Sequence, residues 1–363
     1  MKYRLVFWCV LPVCLLMLFF CGEGILHRSA QTKPLQTGSI SVPYSETIQK
    51  WYTQLQVQLG NRQRNGVYIG EAALYVLPKS LSTEALQQTA GCINRFYDTY
   101  QISTCVIAIP DAASFYAEDL PDGMPLVQQK PQIKQFYNAI DMHIRKTDAY
   151  YILEAEADDY IYYRTFPYWT SYGAYSVYRS AIQKLGFVPI SYDHYTVSHV
   201  KNDAKGTLYQ LCQYEAVTPD LIDIYENVDS RPACQLTTYA LDGTSTKTDT
   251  LYDAAALETE DAYRFYLGGE APLQIVTTDA KNGKRLLVIK DAWANCMIPF
   301  LAQHYEEICL VDIQFEQALT TLIPDITTYQ QVLFLCHIDT YANTEQFKQV
   351  LSVEQNDSHL VSE

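Results

Sequence analysis

The fold of this chain is decided by one short stretch, RLLVIKDAW, residues 285–293. Its first half is a run of large apolar side chains, which is typical of a strand buried on both faces of a parallel sheet. Apolar side chains then recur four residues apart from Trp293 to Tyr305, which predicts a helix over 291–307, kinked at Pro299. A buried strand that runs directly into a helix is the first part of a βαβ unit.

The same alternation of strands and helices continues on both sides of this stretch. Strands are predicted at 104–110, 308–313 and 332–338, with a helix at 315–322. Short connections of this kind imply right-handed βαβ units, so we predict an α/β fold, a three-layer sandwich with a parallel central sheet. In such sheets the functional site lies at the carboxyl ends of the strands, which here means around residues 290–292.

The N-terminal half carries weaker signals of the same kind. The sequence predicts a strand or hairpin over 66–76, helices over 48–59, 81–97 and 132–144, and a further strand at 149–153.

The chain divides into regions of different composition. A segment rich in Thr, Tyr, Asp and Asn is predicted to be a mostly β insertion within the α/β domain. We predict a transmembrane anchor over 1–24 and a tether over 25–45. The α/β domain has two parts, 46–191 and 271–350, which are separated by the insertion 192–270, and residues 351–363 form a tail.

The N-terminal segment predicts a membrane anchor. Lys2 and Arg4 precede 5–22, which has no charged residue, and roughly 18 apolar residues are enough to span a bilayer core. Phe20 occupies the place where signal cleavage or lipid attachment at Cys21 needs a small residue, so an uncleaved anchor is favoured. The basic residues lie on its N-terminal side, which predicts a single-pass protein of the cell membrane with the bulk of the chain extracytoplasmic.

Composition excludes some partners and leaves others open. The chain has 26 basic and 41 acidic residues, a net charge of −15, which argues against nucleic acid. It also has 30 tyrosines, which fit either β-rich packing or stacking on sugar rings.

The cysteines predict no metal site. Seven of the 10 lie beyond the anchor, and none of these forms a pair with metal-ligand spacing. A disulfide between Cys212 and Cys234 is possible, whereas Cys309 and Cys336 fall in apolar strand-like runs that favour buried thiols. We predict no metal and no cofactor.

Four further stretches carry a resemblance to a known family. They are YYRTFPYWTSYGAY (162–175), GTLY (206–209), FYLGG (265–269) and GKRLLVIKD (283–291). Together they resemble the DHHW family, whose Asp-His-His-Trp tetrad lies between a Tyr-Tyr-Arg-Thr lead and a Trp-Thr-x-x-Gly-Ala-Tyr continuation. The resemblance covers roughly residues 45–345, in the same order.

This resemblance implies a fold and a chemistry. The family is similar to SGNH-type enzymes such as the alginate O-acetyltransferases, which move acetyl groups on envelope polysaccharides. It implies an Asp–His pair on one loop and a serine on the turn that follows a strand. The serine attacks the acyl carbonyl, the histidine takes its proton, and the aspartate orients the histidine.

The chain departs from the family pattern at the catalytic positions. Alanine cannot attack a carbonyl, and a tyrosine with a reference pKa near ~10 is a poor base at neutral pH. The departures are Phe166 for the aspartate, Pro167 and Tyr168 for the histidines, Ala292 for the serine, and Glu270 where an asparagine is usual, while Trp169 is retained.

Three other features have competing interpretations. Cys296, one helical turn beyond Ala292, is either a relocated nucleophile or a small buried residue behind the turn. The acidic run 154–159 is either a solvated loop or a metal site. His304, late in the predicted helix, is expected to have a role at the surface or in the C-terminal turn of the helix instead of a catalytic one.

The favoured hypothesis is a non-catalytic relative that binds an envelope polysaccharide or an envelope protein and reaches the membrane through its N-terminal helix. The alternatives are an active O-acetyltransferase or esterase with a relocated triad, and a purely structural envelope protein without a groove. The predicted groove residues are Tyr163, Arg164, Phe166, Tyr168, Trp169, Glu270, Asp291, Trp293 and Asn295.

Overall fold

The computed structural model describes residues 45–120, 123–124, 126–230 and 232–352. The predicted anchor, the tether apart from Ser45, and the tail beyond residue 352 lie outside the described residues. Within the described ranges, the helices are all too short or too polar to cross a membrane.

Helices and strands alternate along most of the chain. The helices are α1 Ser45–Gln58, α2 Thr83–Tyr100, α3 Gln129–Ala139, α4 Ala149–Ala155, α5 Ser171–Lys184, α6 Thr207–Cys212, α7 Ile298–Leu301, α8 Leu319–Leu322, α9 Ile338–Tyr341 and α10 Thr344–Val350. The strands are β1 Gln63–Arg64, β2 Val67–Ile69, β3 Leu74–Tyr75, β4 Ser103–Ile109, β5 Arg145–Lys146, β6 Tyr195–Ala204, β7 Asp220–Asn227, β8 Cys234–Tyr239, β9 Ser245–Thr248, β10 Leu273–Thr278, β11 Arg285–Lys290, β12 Glu307–Asp312 and β13 Gln331–His337.

The central sheet has eight strands in the order β5-β4-β13-β11-β12-β10-β8-β9. The first five are parallel, whereas β10, β8 and β9 each pair antiparallel with their neighbours. The predicted α/β class with a mostly parallel central sheet is confirmed. The segment 192–270 contributes the last two strands of this sheet and a separate antiparallel pair, β6 and β7.

Both faces of the sheet are covered, as a three-layer sandwich requires. In β4, Cys105 and Ile107 belong to one apolar cluster, and Val106 and Ala108 belong to the other. Helices α4 and α5 share the first cluster, and α2, α3, α9 and α10 share the second. This alternation follows from the period of two in a strand and explains why the parallel strands are apolar throughout.

Three local predictions are wrong. The strand predicted at 149–153 is helix α4, because the Asp148 side chain accepts the N–H of Tyr151 at 3.3 Å and caps a helix there. The single helix predicted over 291–307 and the helix predicted over 315–322 are each a short 3-10 turn followed by a one-turn α-helix.

Pro299 explains the first of these breaks. Because proline lacks a backbone N–H, it is accommodated in the first turn of a helix, and here it opens α7 instead of kinking a longer helix.

The possible disulfide is absent: Cys212, Cys234 and the other described cysteines are all free thiols.

Candidate functional site

The turn after β11 has the strand–turn–helix form that the sequence predicts. Asp291 follows the last residue of the strand, and Ala292 begins a 3-10 segment that ends at Met297. Ala292 lies just beyond the carboxyl end of a central strand, and it is only 6% exposed to solvent. A serine in this place would present its hydroxyl at the carboxyl ends of the parallel strands; an alanine presents a methyl group.

Asp291 is a structural residue at this turn. It is fully buried, and its Oδ1 accepts the backbone N–H of Trp293 at 3.1 Å. Its Oδ2 accepts the backbone N–H of His337 at 2.8 Å and the hydroxyl of Thr340 at 2.6 Å. Burial raises the pKa of Asp291, and the hydrogen bond from Thr340 opposes this rise. The carboxylate therefore joins the end of β11 to the end of β13.

The loop that resembles the tetrad motif packs directly against this turn. Trp169 is fully buried, and its indole N–H donates to the carbonyl of Trp293 at 2.7 Å. Thr170 caps α5 by accepting the N–H of Gly173 at 3.2 Å. A Cβ on Gly173 would lie 2.4 Å from the carbonyl oxygen of Ile161, so only glycine allows this close approach. These contacts explain the WTSYG spacing in structural terms.

Aromatic packing occupies the two loop positions that a catalytic pair would need. Phe166 is 1% exposed, and its ring contacts Tyr163 edge-on with centroids 5.5 Å apart. Tyr168 stacks on Tyr263 at 4.0 Å and meets Trp293 edge-on at 5.4 Å. Neither residue is placed as a polar partner for a nucleophile; both are integrated into one aromatic cluster.

The electrostatic surroundings of Tyr168 are acidic. Burial raises the pKa of its hydroxyl, and the carboxylates of Glu270 and Asp261 raise it further. Burial and the neighbouring Glu270 also raise the pKa of Asp261. Tyr168 therefore keeps its proton at neutral pH and cannot serve as a general base in place of histidine.

Cys296 lacks the surroundings of an activated thiol. It is fully buried, and its Sγ lies 4.0 Å from the carbonyl oxygens of Trp169 and Thr170. Burial raises the pKa of this thiol to about 12. A thiolate is the reactive form, so Cys296 is a structural residue behind the turn.

The histidines of the described ranges have no serine or cysteine as a hydrogen-bond partner. His143, His194, His199 and His337 face aspartates, namely Asp141, Asp229, Asp223 and Asp111. Of the two positions expected for His304, the surface is wrong: the side chain is buried, in the turn that follows α7, and its Nε2 lies 2.6 Å from the Tyr178 hydroxyl.

The predicted groove residues divide by exposure. Arg164, Tyr168 and Glu270 retain solvent-accessible surface, and Trp293 is 9% exposed. The others are buried and support the turn from within: Tyr163, Phe166, Trp169, Asp291 and Asn295. Both side-chain amide atoms of Asn295 are buried without a hydrogen-bond partner.

A cavity of about 350 Å³ lies beside the loop. The residues that line it include Tyr116, Tyr160, Asp158, Asp159 and Arg164. Tyr162 also lines it, and the ring of Tyr162 meets Trp293 edge-on at 6.4 Å, so one side chain lies between the cavity and the turn. The acidic run and the arginine noted in the sequence thus meet in a concave, aromatic surface.

Sequence reasoning missed the polar residues at the other strand ends. Asp111 lies just beyond β4, His337 ends β13, and Asp312 ends β12. Asp312 forms a fully buried ion pair with Lys290, with 2.9 Å between Nζ and Oδ2. The signal for these residues is their position, because each follows or ends a parallel strand, and sites in such sheets lie at the carboxyl ends of the strands.

The fold and the turn define an α/β protein with a mostly parallel central sheet and an alanine at the start of the turn after β11. The model of the family described as DHHW protein matches residues 83–311, more than half of the chain. The chain belongs to the DHHW family, and the family prediction is confirmed.

Solved structures agree with this assignment. The chain is similar to a DHHW family protein from Eubacterium siraeum, at 23% identity and a TM-score of 0.67, covering 79% of this chain and 96% of that one. It is also similar to Bacillus cereus PatB1, at 18% identity and a TM-score of 0.66, covering 78% and 99%. A structure of PatB1 with a sulfonyl adduct matches at 19% identity and a TM-score of 0.65, covering 78% and 96%. Among curated proteins, none matches the chain. At these identities the likeness establishes a shared fold.

Proposed function

We propose that this chain is a membrane-anchored, extracytoplasmic DHHW-family protein that binds an envelope polysaccharide and performs no acyl transfer. The observation that carries the proposal is the packing at the replaced positions. Phe166 and Tyr168 form part of an aromatic cluster, and Ala292 offers a methyl group where a nucleophile would stand. Such a site can shape a surface but cannot form an acyl-enzyme.

The cavity beside the loop supports a carbohydrate ligand. Tyrosine rings present an apolar face and a hydroxyl together, which suits sugar rings, and Asp158 and Asp159 add hydrogen-bond acceptors. A protein partner is the second candidate within this proposal. The concave shape and the mixed aromatic and acidic lining favour a polysaccharide chain over a protein surface.

Anchoring and location rest on the sequence. The uncharged segment 5–22, preceded by Lys2 and Arg4, supports a single-pass anchor with the rest of the chain outside the cytoplasm. An envelope polysaccharide would be accessible to a protein held there.

The catalytic half of the proposal is tested with an activated acetyl ester. We expect the full-length chain, purified in detergent, to release no acetate above the background set by buffer and detergent. The triple variant Phe166→Asp, Tyr168→His, Ala292→Ser is expected to gain weak hydrolysis, and Ala292→Ser alone to gain none. Acetate release by the unaltered chain would contradict the proposal, and a loss of that release in Cys296→Ala would support the relocated-triad alternative.

The binding half is tested with a panel of purified envelope polysaccharides and the variant Tyr116→Ala. Loss of one stacking ring costs about 1 kcal/mol, so we expect affinity to fall about fivefold. The matched control is Tyr151→Ala, an exposed tyrosine outside the cavity, which should leave affinity unchanged. Absence of binding to every polysaccharide, or equal losses in both variants, would refute the cavity as the site.

A further inference from the structure

Three potential metal ligands meet at the carboxyl ends of β4 and β13. Asp111 follows β4, His337 ends β13, and Asp339 lies in the first turn of α9. One ligand atom from each lies within 4.8 Å of the other two. They are 226 and 2 residues apart in sequence (337 − 111 and 339 − 337), which explains why spacing alone predicted no metal.

The imidazole is held with its Nε2 towards the carboxylates. His337 is 6% exposed, and its Nε2 lies 3.1 Å from Oδ1 of Asp111, yet it forms no hydrogen bond in this orientation. Oδ1 of Asp339 is likewise buried without a hydrogen-bond partner. Two of these residues thus carry a buried polar atom without a hydrogen-bond partner, which is costly unless another group satisfies it.

The surrounding contacts orient both main ligands. Gln129 donates from Nε2 to Oδ2 of Asp111 at 2.5 Å, which leaves Oδ1 directed at His337. The Trp293 ring stacks on the imidazole with centroids 4.3 Å apart and an angle of 13°. The Lys79 ammonium lies 3.5 Å from Oδ2 of Asp339, on the other oxygen of that carboxylate. A hydrogen bond to a ligating carboxylate, such as the one that Gln129 donates to Asp111, is typical of metal sites.

We propose that Asp111, His337 and Asp339 bind a divalent transition-metal ion, such as Zn²⁺ or Mn²⁺. One imidazole and two carboxylates form a ligand set that these ions accept, and the two negative charges balance the ion. The 3.1 Å between Nε2 and Oδ1 matches two adjacent ligands around an ion at about 2.0–2.2 Å from each. The site is independent of the proposed polysaccharide binding.

Metal binding at Nε2 also determines which ring nitrogen of His337 carries the proton. When Nε2 coordinates the ion, the neutral ring carries its proton on Nδ1. At present the N–H of Asp339 donates to Nδ1 at 3.3 Å, a long hydrogen bond. The bound form therefore opens this bond, because a protonated Nδ1 cannot accept the N–H of Asp339.

The test uses the full-length chain in detergent after chelator treatment. We expect one equivalent of Mn²⁺ or Zn²⁺ to bind in equilibrium dialysis. Co²⁺, a paramagnetic probe, should quench the fluorescence of Trp293, because its ring stacks on the ligand. Zn²⁺ should reverse the quenching, and Trp293→Phe should reduce it, leaving the smaller contribution of Trp169, whose indole N–H donates to the Trp293 carbonyl.

Variants separate this site from adventitious binding. His337→Gln and Asp111→Asn are expected to weaken binding at least about tenfold. His199→Gln, in an exposed pair with Asp223, is the matched control and should bind like the unaltered chain. If the buried His337→Gln variant fails to fold, the partly exposed Asp339→Asn decides. No stoichiometric binding by the unaltered chain, or full affinity in folded Asp111→Asn and Asp339→Asn, would overturn the proposal.

Discussion

The buried ion pair between Lys290 and Asp312 is the sharpest test of how the sheet end is stabilised. Both side chains are fully buried at the ends of adjacent parallel strands, with 2.9 Å between Nζ and Oδ2. Asp312 also accepts the backbone N–H of Gln314 at 3.0 Å. The perturbation consists of Asp312→Asn, Lys290→Met and the double variant.

The expected energies follow from burial. Removing one partner leaves an uncompensated charge without water, so each single variant should lower the free energy of unfolding by about 3–5 kcal/mol. The double variant leaves only a neutral amide that lacks one partner, a cost of roughly 1–3 kcal/mol. Two neutral side chains should therefore be tolerated better than either lone charge.

The assay is urea unfolding followed by circular dichroism for all four proteins. We expect a coupling energy of at least about 2 kcal/mol, with the double variant more stable than either single variant. Simple additivity, with a double variant that loses the sum of the two single losses, would refute the reasoning and show that solvent compensates each charge.

Two further predictions concern buried positions: the protonation of His304 and the space beside Gly206. Burial lowers the pKa of His304 from 6.5 to about 4. As pH falls, the imidazole in the unfolded chain therefore binds a proton before the one in the folded chain does. The free energy of unfolding should decrease progressively below about pH 6.5, by on the order of 2 kcal/mol at pH 5. Urea unfolding of His304→Gln should lack this part of the pH dependence, whereas exposed His199→Gln should retain it; identical profiles for all three proteins would contradict the assignment. A Cβ at Gly206 would lie 2.3 Å from Cγ of the Phe166 ring, so Gly206→Ala should cost about 1–3 kcal/mol in thermal unfolding. Adding Phe166→Leu should recover part of that loss, and equal stability of Gly206→Ala and the unaltered chain would show that the ring moves freely.

The periodicity of apolar residues predicted the frame of this fold well. Strands β4, β11, β12 and β13 are continuous apolar runs because parallel strands are buried on both faces, and their positions follow directly from that pattern. Short elements were harder to predict. The strand expected at 149–153 is a helix, since a capping aspartate outweighs a brief β-like run, and the expected helix over 291–307 stops at its proline.

For the site, the sequence alone determined which residues are missing. Ala292, Phe166 and Tyr168 stand at positions that the motif makes recognisable, and the loss of a hydroxyl, a carboxylate or an imidazole is evident from the residue type itself. Only the tertiary structure decided how these residues pack and what lies near them. Phe166 and Tyr168 join an aromatic cluster, the Cys296 thiol is buried, and a cavity lies beside the loop.

The clustering of Asp111, His337 and Asp339 also belongs to the tertiary structure. Spacing along a chain reveals ligands that share a helix or a turn, because those distances are local. Ligands from separate strands become neighbours only when the parallel strands align and their carboxyl ends meet at one edge of the sheet, and that alignment depends on the packing of the whole domain.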